Sequence, residues 1–592
     1  MPYENADPEL LARSVEALAA VPASPLAGMD GSIPVDDPAT GEQIATIPNH
    51  TVATALEAVA LADAAGRAWA RTTPRRRSDV LHAVYAKLIE RRDDLALVMS
   101  REMGKTISES YAEVQYAADY VRWFAEEALR AGGSYREAPA GGATMITTRG
   151  PVGLSVLITP WNFPMAMATR KIAPALAAGC GCVVKPATLT PLTTYLTVKL
   201  FEEAGVPEGL VQVITTRSAS AFSEAVLADE RVRKVSFTGS TPVGSTLMQL
   251  AAQNIVKSSM ELGGNAPLLV FDDADLERAI EGAMLAKMRN GGQTCVSANR
   301  MFIQEGIADD FIAGFTERMA GLVQGNPLNR EVELGPVVDD RAVARLRHLV
   351  DDAVAKGADL RTGGRALPGA GTFFEATVLD NVPVEADITS TEIFGPVASI
   401  TRVRTQEEAV AKANDTCFGL AAFVFTENID RALNVSEALE TGMVGINQGL
   451  LSNVSAPFGG VKQSGIGREG SSEGLEEYQE VRYFNLTRRP TFCVPAGGDR
   501  APPSGGRSVV LAGRGGASAT PQPRVRCART APPGDGRRAG RIAQSILNSW
   551  SKRSSPARAR ARSRVGLENG RNNGRAAGCS DHPGRRHRST AS

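Results

Sequence analysis

Residues 153–187 read GLSVLITPWNFPMAMATRKIAPALAAGCGCVVKPA, and the fold is decided there. GLSVLITP is a short apolar run without polar alternation, the pattern of a strand buried on both faces. The prolines of PWNFP end it, a helix is expected from about Ala166 to Ala178, and CGCVVKPA returns the chain as a second buried strand. A helix near 191–204 follows, then LVQVIT as a third strand and VRKVSFTGS as a fourth, which runs into a helix starting near Thr241. Strands alternating with helices predict an α/β fold with a doubly wound parallel sheet, whose ligands bind at the carboxyl ends of the strands.

Outward from this core, residues 33–50 read as a hairpin, and 51–70, 74–103 and 106–131 as helices with Thr51 and Thr72–Thr73 as caps. Residues 134–153 read as two short polar strands, an extended arm. On the carboxyl side the alternation resumes. MFIQ, AAFVFT and GMVGIN are strand segments, 307–323, 339–356 and 406–414 are helices, and FFEATVLDNV leads to EIFGPVASI ahead of the last of these. A Gly-rich loop, PFGGVKQSGIGREG, precedes a last strand in EYQEVRYFNL.

FTGSTPVG sits where a strand meets a helix, so its backbone N–H groups suit a pyrophosphate, with Gly239 and Gly244 allowing close approach and Ser240 offering a hydroxyl. A plain strand-to-helix turn fits it equally. Lys185, at the end of another strand, reads as a partner for ribose or phosphate, or as a loop lysine. Further on, MELGGNAP and RNGGQTC put Glu261 in a Gly-rich turn and Cys295 behind Gly291 and Gly292. A thiol needs open backbone around it to act as a nucleophile, and a nearby carboxylate can activate water for a later step. A lone Cys is more often a core residue, so this pairing rests on the rest of the chain.

The 592 residues are 43% hydrophobic and 22% charged, which bounds a soluble chain of two or three domains. Seven scattered cysteines without C-x-x-C or His-rich spacing predict neither disulfides nor a metal site, and a cytoplasmic setting. Neither a signal peptide nor an apolar run of membrane-spanning length is visible. The net charge of zero hides an asymmetry, since residues 495–592 carry 20 Lys+Arg against 4 Asp+Glu. This Arg/Gly/Pro-rich tail is expected to be disordered. It reads as a solvated tail, as a binder of nucleic acid or acidic surfaces, or as translation past a natural stop, the last favoured by its near-exclusive use of Arg.

PWNFP, KPA, FTGSTPVG, MELGGNAP, GGQTC, EIFGPV and PFGGVKQSGIGRE, in this order over residues 30–489, resemble the aldehyde dehydrogenase superfamily. The resemblance implies Cys295 as nucleophile, Glu261 as the base for hydrolytic water, Asn162 as an oxyanion donor, and Lys171 and Glu469 as proton-relay residues. It implies Trp161, Lys185, Thr188, Gly239, Ser240, Gly244, Leu262, Glu392 and Phe394 around an NAD or NADP cofactor. The finer pattern (PWNFPMAMATRK, KMRNGGQTC, GMVGINQGLLSNVSAPFGG) resembles succinate-semialdehyde dehydrogenases, in which Arg170, Arg289 and Ser452 match a clamp for the substrate carboxylate. A longer ω-semialdehyde such as glutarate semialdehyde uses the same clamp, and a broader aliphatic aldehyde dehydrogenase is the alternative. A binding protein acting through its basic tail is the reading from another class.

Two departures stand out. Ser297 replaces the second Cys of regulated relatives, so no active-site disulfide is expected. Thr188 stands where NAD-preferring relatives often carry Glu, so NADP is the preferred cofactor.

The implied fold is aldehyde-dehydrogenase-like, with two doubly wound parallel-sheet domains. The cofactor domain takes 1–135 and 155–261, the catalytic domain 262–445 and an active-site loop 446–469. A β oligomerisation arm takes 136–154 and 470–489. Edge strands in that arm predict a homodimer or homotetramer, and the folded body is expected to bind neither membrane nor nucleic acid.

Overall fold

The computed structural model describes residues 5–487. The tail at 495–592 and the last two residues of the expected arm segment lie outside the described residues.

The 153–187 stretch forms the middle of a six-stranded sheet, in the order Gly465–Ile466, Lys257–Glu261, Val232–Thr238, Leu154–Ile158, Cys182–Lys185, Val211–Val213. All neighbours are parallel except Gly465–Ile466, which pairs antiparallel with the end of Lys257–Glu261. Every side chain of Leu154–Ile158 is buried, as its unbroken apolar run requires. The chain moves outward from this strand to Val211–Val213, then returns on its other side through Val232–Thr238. The carboxyl ends of Leu154–Ile158 and Val232–Thr238 therefore diverge into a crevice. The helix Ala166–Ala178 is buried along its whole length and stops at Gly179, whose φ of +103° favours glycine. Gly181 then lies against the helix Val52–Trp69, where a Cβ would stand 2.1 Å from the Ala62 carbonyl oxygen.

A seven-stranded sheet follows, in the order Asp359–Thr362, Thr377–Asp380, Val397–Val403, Ala298–Gln304, Ala266–Val270, Ala421–Phe425, Met443–Ile446. Only its edge strand Asp359–Thr362 is antiparallel. Leu268, Met301, Ile303, Ile400 and Phe423 form the heart of its core. Residues 262–265 join the two sheets, so Glu261 ends a strand of one and Ala266 opens a strand of the other. Cys295 precedes Ala298–Gln304 and Glu392 precedes Val397–Val403. The expectation that functional groups gather at carboxyl ends therefore holds for the first sheet and is reversed in the second, whose amino ends face the site.

Ser134–Glu137, Thr144–Pro151 and Gln479–Leu486 make a three-stranded antiparallel sheet with Thr144–Pro151 in the middle. Three expected boundaries shift by a residue or two. The arm strand starts at Ser134, Leu154 belongs to the six-stranded sheet, and the last strand of the large sheet runs to Ile446. Four helices of nine or more residues, Pro8–Ala19, Ala219–Leu227, Leu276–Met288 and Ile429–Ala438, were not expected, and the 74–103 helix is two, Pro74–Glu90 and Arg92–Met103. Among the described residues no helix is long and apolar enough to cross a membrane.

Candidate active site

A cavity of about 200 Å³ opens where the two sheets face each other, lined by Asn162, Arg170, Glu261, Arg289, Cys295, Glu392 and Ser452 among others. The loop carrying Cys295 turns through three successive residues of positive φ, Asn290 at 57°, Gly291 at 60° and Gly292 at 75°. Asn tolerates this region better than most side chains. Gly292 must lack one, because a Cβ would stand 2.2 Å from the Gly395 carbonyl oxygen. On the other side Gly264 abuts the Cys295 carbonyl oxygen, 2.3 Å from where its Cβ would be.

Asn162 is fixed from both ends. Its Nδ2 donates to the Gln293 carbonyl at 2.9 Å, which leaves the second N–H of the amide for the cavity. Its own carbonyl accepts from Lys105 Nζ at 2.9 Å and Asn290 Nδ2 at 3.0 Å. Lys105 forms a buried ion pair with Glu113, whose other oxygen accepts from the backbone N–H groups of Met165 and Ala166 at 3.0 and 3.1 Å. Sequence reading missed Lys105, Glu113 and Asn290, because each acts through backbone groups of distant segments.

Glu261 is buried and neither carboxylate oxygen has a hydrogen-bond partner. Burial, followed by the charge of Glu469, holds its pKa well above the carboxylate range. The Cys295 thiol opens onto the cavity from deep in the protein, and burial pushes it up to about 12, helped by the charge of Glu392. The resting nucleophile is therefore a thiol, and it needs a base.

Glu469 lies behind the cavity between two cations. Lys171 Nζ donates to it and to Ser236 Oγ at 3.0 Å, and Arg170 Nε stands 2.6 Å from its second oxygen. Arg170 also lies over the Phe458 ring at 4.3 Å. The expected clamp is thus divided. Arg289 Nη1 donates to Ser452 Oγ at 3.0 Å and rests over Phe163 at 5.0 Å, whereas Arg170 belongs to Glu469. The reason is burial, since a guanidinium only 1% exposed must keep an anionic partner.

Trp161, Gly239, Ser240, Leu262, Glu392 and Phe394 line the cavity toward the crevice. Trp161 and Phe394 meet edge to face at 5.3 Å. Glu392 Oε1 accepts from the Gly264 N–H at 3.1 Å, and burial pushes its carboxyl up to about 7. Ser240 begins the helix Thr241–Gln253 without capping it by its side chain, so first-turn N–H groups remain available. Gly244 does not line the cavity; a Cβ there would stand 2.4 Å from Leu262 Cδ2, so its glycine serves helix–strand packing. Lys185 and the half-buried Thr188 lie outside the cavity lining, and Lys185 forms no ion pair among the described residues. Tyr116, Met167, Thr238, Arg345 and Phe458 also line the cavity; Met167, Thr238 and Phe458 lie within the quoted motifs without having been singled out, and Tyr116 and Arg345 lie outside them.

The Aldehyde dehydrogenase family profile matches residues 27–484. A probable succinate-semialdehyde dehydrogenase [NADP(+)] of Sinorhizobium fredii is 45% identical, over 79% of this chain and 95% of its own length. A glutarate-semialdehyde dehydrogenase of Pseudomonas putida is 46% identical, over 77% of this chain and 94% of its own. The crystal structure of succinate-semialdehyde dehydrogenase from Burkholderia pseudomallei superposes with a TM-score of 0.77 at 42% identity, covering 81% of this chain and 99% of that one.

Proposed function

This chain belongs to the aldehyde dehydrogenase family, and on that premise we propose that it oxidises succinate semialdehyde to succinate, with NADP as preferred acceptor and NAD as the second. One observation carries the substrate assignment. Arg289 and Ser452 meet at 3.0 Å in the wall of the cavity that holds Cys295, and no carboxylate of the described residues lies within ion-pair distance of Arg289. A guanidinium so placed recognises an anion carried at the far end of the aldehyde.

The cofactor residues fit a nicotinamide dinucleotide. The uncapped amino end of Thr241–Gln253 suits a pyrophosphate, Lys185 forms no ion pair among the described residues, and Glu392 lines the cavity with Trp161 and Phe394 for a ribose. Bound there, the cofactor supplies the two-electron acceptor of the oxidation. The neutral Thr188 supports tolerance of a 2′-phosphate.

Cys295 attacks the aldehyde carbon as a thiolate, its proton passing to Glu261. The oxyanion that develops is held by the free N–H of the Asn162 amide and the backbone N–H of Cys295. After oxidation Cys295 carries a thioester. Glu261, with both oxygens unengaged, takes a proton from the water that attacks this thioester; carboxylate leaves and the thiol is restored. Lys171 and Glu469 relay the proton away. Tyr135, Val481, Tyr483 and Phe484, exposed on the three-stranded sheet, support association of copies into a homodimer or homotetramer, in a cytoplasmic setting.

Glutarate semialdehyde is the second reading, because a relative acting on it is 46% identical. The test measures kcat/KM on the full chain for succinate semialdehyde, glutarate semialdehyde and butanal, each with NADP and with NAD. A charge-assisted hydrogen bond to the carboxylate predicts an advantage over butanal of roughly 10–100-fold. Equal values for succinate semialdehyde and butanal would overturn the substrate assignment. A preference for NAD would overturn only the cofactor assignment.

A further inference from the structure

A sheet covered on both sides is normally apolar throughout, and the six-stranded sheet is not. Alternate side chains of a strand share a face, so Lys234, Ser236 and Thr238 point the same way. The parallel register Ser236↔Ser259 and Thr238↔Glu261 sets Ser259 and Glu261 beside them. All five are buried, Lys234 completely.

These groups form two hydrogen-bonded clusters that approach each other at Tyr478. Glu261 faces Glu469, and Lys171 joins Glu469 to Ser236 Oγ. At the far end Lys234 Nζ donates to Ser259 Oγ and lies 3.2 Å from Glu477 Oε2, to which Ser259 Oγ also donates at 2.8 Å. Tyr478 spans the interval. Its ring lies 5.0 Å from Lys234 Nζ, and its buried hydroxyl faces Ser236 without completing a hydrogen bond. Glu477, whose side chain is 21% exposed, reaches solvent.

We propose that this polar ladder is the exit route for protons, running from Glu261 through Glu469 and Lys171 to Ser236, Tyr478 and Lys234, and leaving at Glu477. The inference rests on the aldehyde oxidation proposed above. There, aldehyde, water and oxidised cofactor give carboxylate, reduced cofactor and two protons for each turnover. Those protons appear in a cavity stoppered by substrate on one side and cofactor on the other, and the ladder leads away from both. Every member has a hydroxyl, ammonium or carboxyl that can take one proton and pass on another. Lys234 is faced by Glu477, Lys257, Lys171 and Tyr478, and burial lowers its pKa to about 8, within reach of proton release near neutral pH.

The test is a stopped-flow comparison of the parent with Glu477→Gln, Lys234→Met and Ser259→Ala, in weakly buffered succinate semialdehyde and NADP with a pH-indicator dye. The first turnover of reduced cofactor is expected to keep its rate within about twofold, since proton exit follows the oxidation. Steady turnover and dye-detected proton release should fall about tenfold, with a larger solvent isotope effect and recovery on adding imidazole buffer. Glu477→Gln alters a partly exposed side chain and keeps the proposal falsifiable if Lys234→Met does not fold. Steady turnover and isotope effect matching the parent in Glu477→Gln would overturn the route. So would a first turnover slowed as much as the steady rate, which marks a damaged site. A parent that reduces no cofactor overturns the oxidation itself, and the route with it.

Discussion

Arg289 and Arg170 line the same cavity in opposite circumstances. Arg289, at the wall, has a serine hydroxyl and two aromatic rings for neighbours and keeps its charge available. Arg170, at the floor, is held by Glu469 and covered by Phe458. The wall can therefore bind an anion brought by a ligand. In the floor Arg170 and Lys171 are both engaged by Glu469, with Glu261 facing that cluster. On the proposed function, this difference would separate recognition from proton chemistry within a single pocket. The resemblance, which matched both arginines to one clamp, could not separate them.

The floor should show the largest effect. Glu261→Gln removes the only carboxylate there that lacks any hydrogen bond, and steady turnover is expected to fall roughly 10²–10⁴-fold. The first turnover of reduced cofactor, measured by stopped-flow absorbance, should fall as well, because Glu261 also takes the Cys295 proton. If the loss falls wholly on KM, Glu261 belongs to recognition and the contrast is broken.

The wall comes next. Arg289→Ala should lower kcat/KM for succinate semialdehyde by about 10–100-fold while leaving butanal within a few-fold, because only the former has an anion to lose. Arg170→Ala should weaken both substrates alike, by about tenfold, through an unpartnered Glu469 in the floor. Steady-state kinetics on the two aldehydes decide between these patterns. A selective loss in Arg170→Ala would return that residue to the substrate and merge the two regions.

The parallel strands and the order of the motifs were legible because buried β-branched runs end at Gly and Pro, as in VRKVSFTGS. The polar ladder was not read from the sequence: K-x-S-x-T places its groups on one face, but only the register with Ser259 and Glu261 shows where they lead. The break after Glu90 was not, because Arg91 ends one helix and starts the next without proline, glycine or a capping side chain. Arg170 with Glu469, and Asn162 with Gln293, are pairs brought together by tertiary folding over more than a hundred residues. No local periodicity encodes such partners.

The smallest effect is also the sharpest test of the floor. Burial and the charge of Glu469 both raise the Glu261 pKa, while Arg170 and Lys171 lower it. Hydrolysis needs Glu261 as a carboxylate, so turnover is lost as pH falls through this raised value and rises above it. Glu469→Gln removes the repelling charge and leaves Arg170 and Lys171 unneutralised, and both changes favour the carboxylate. The acid limb of the kcat–pH profile should therefore move to lower pH, even as turnover itself falls because the relay is cut. Burial remains, so the limb stays above the ordinary carboxylate range. Arg289→Ala should leave the limb where it is. A limb that moves upward in Glu469→Gln, or moves equally in Arg289→Ala, would mean that wall and floor titrate together.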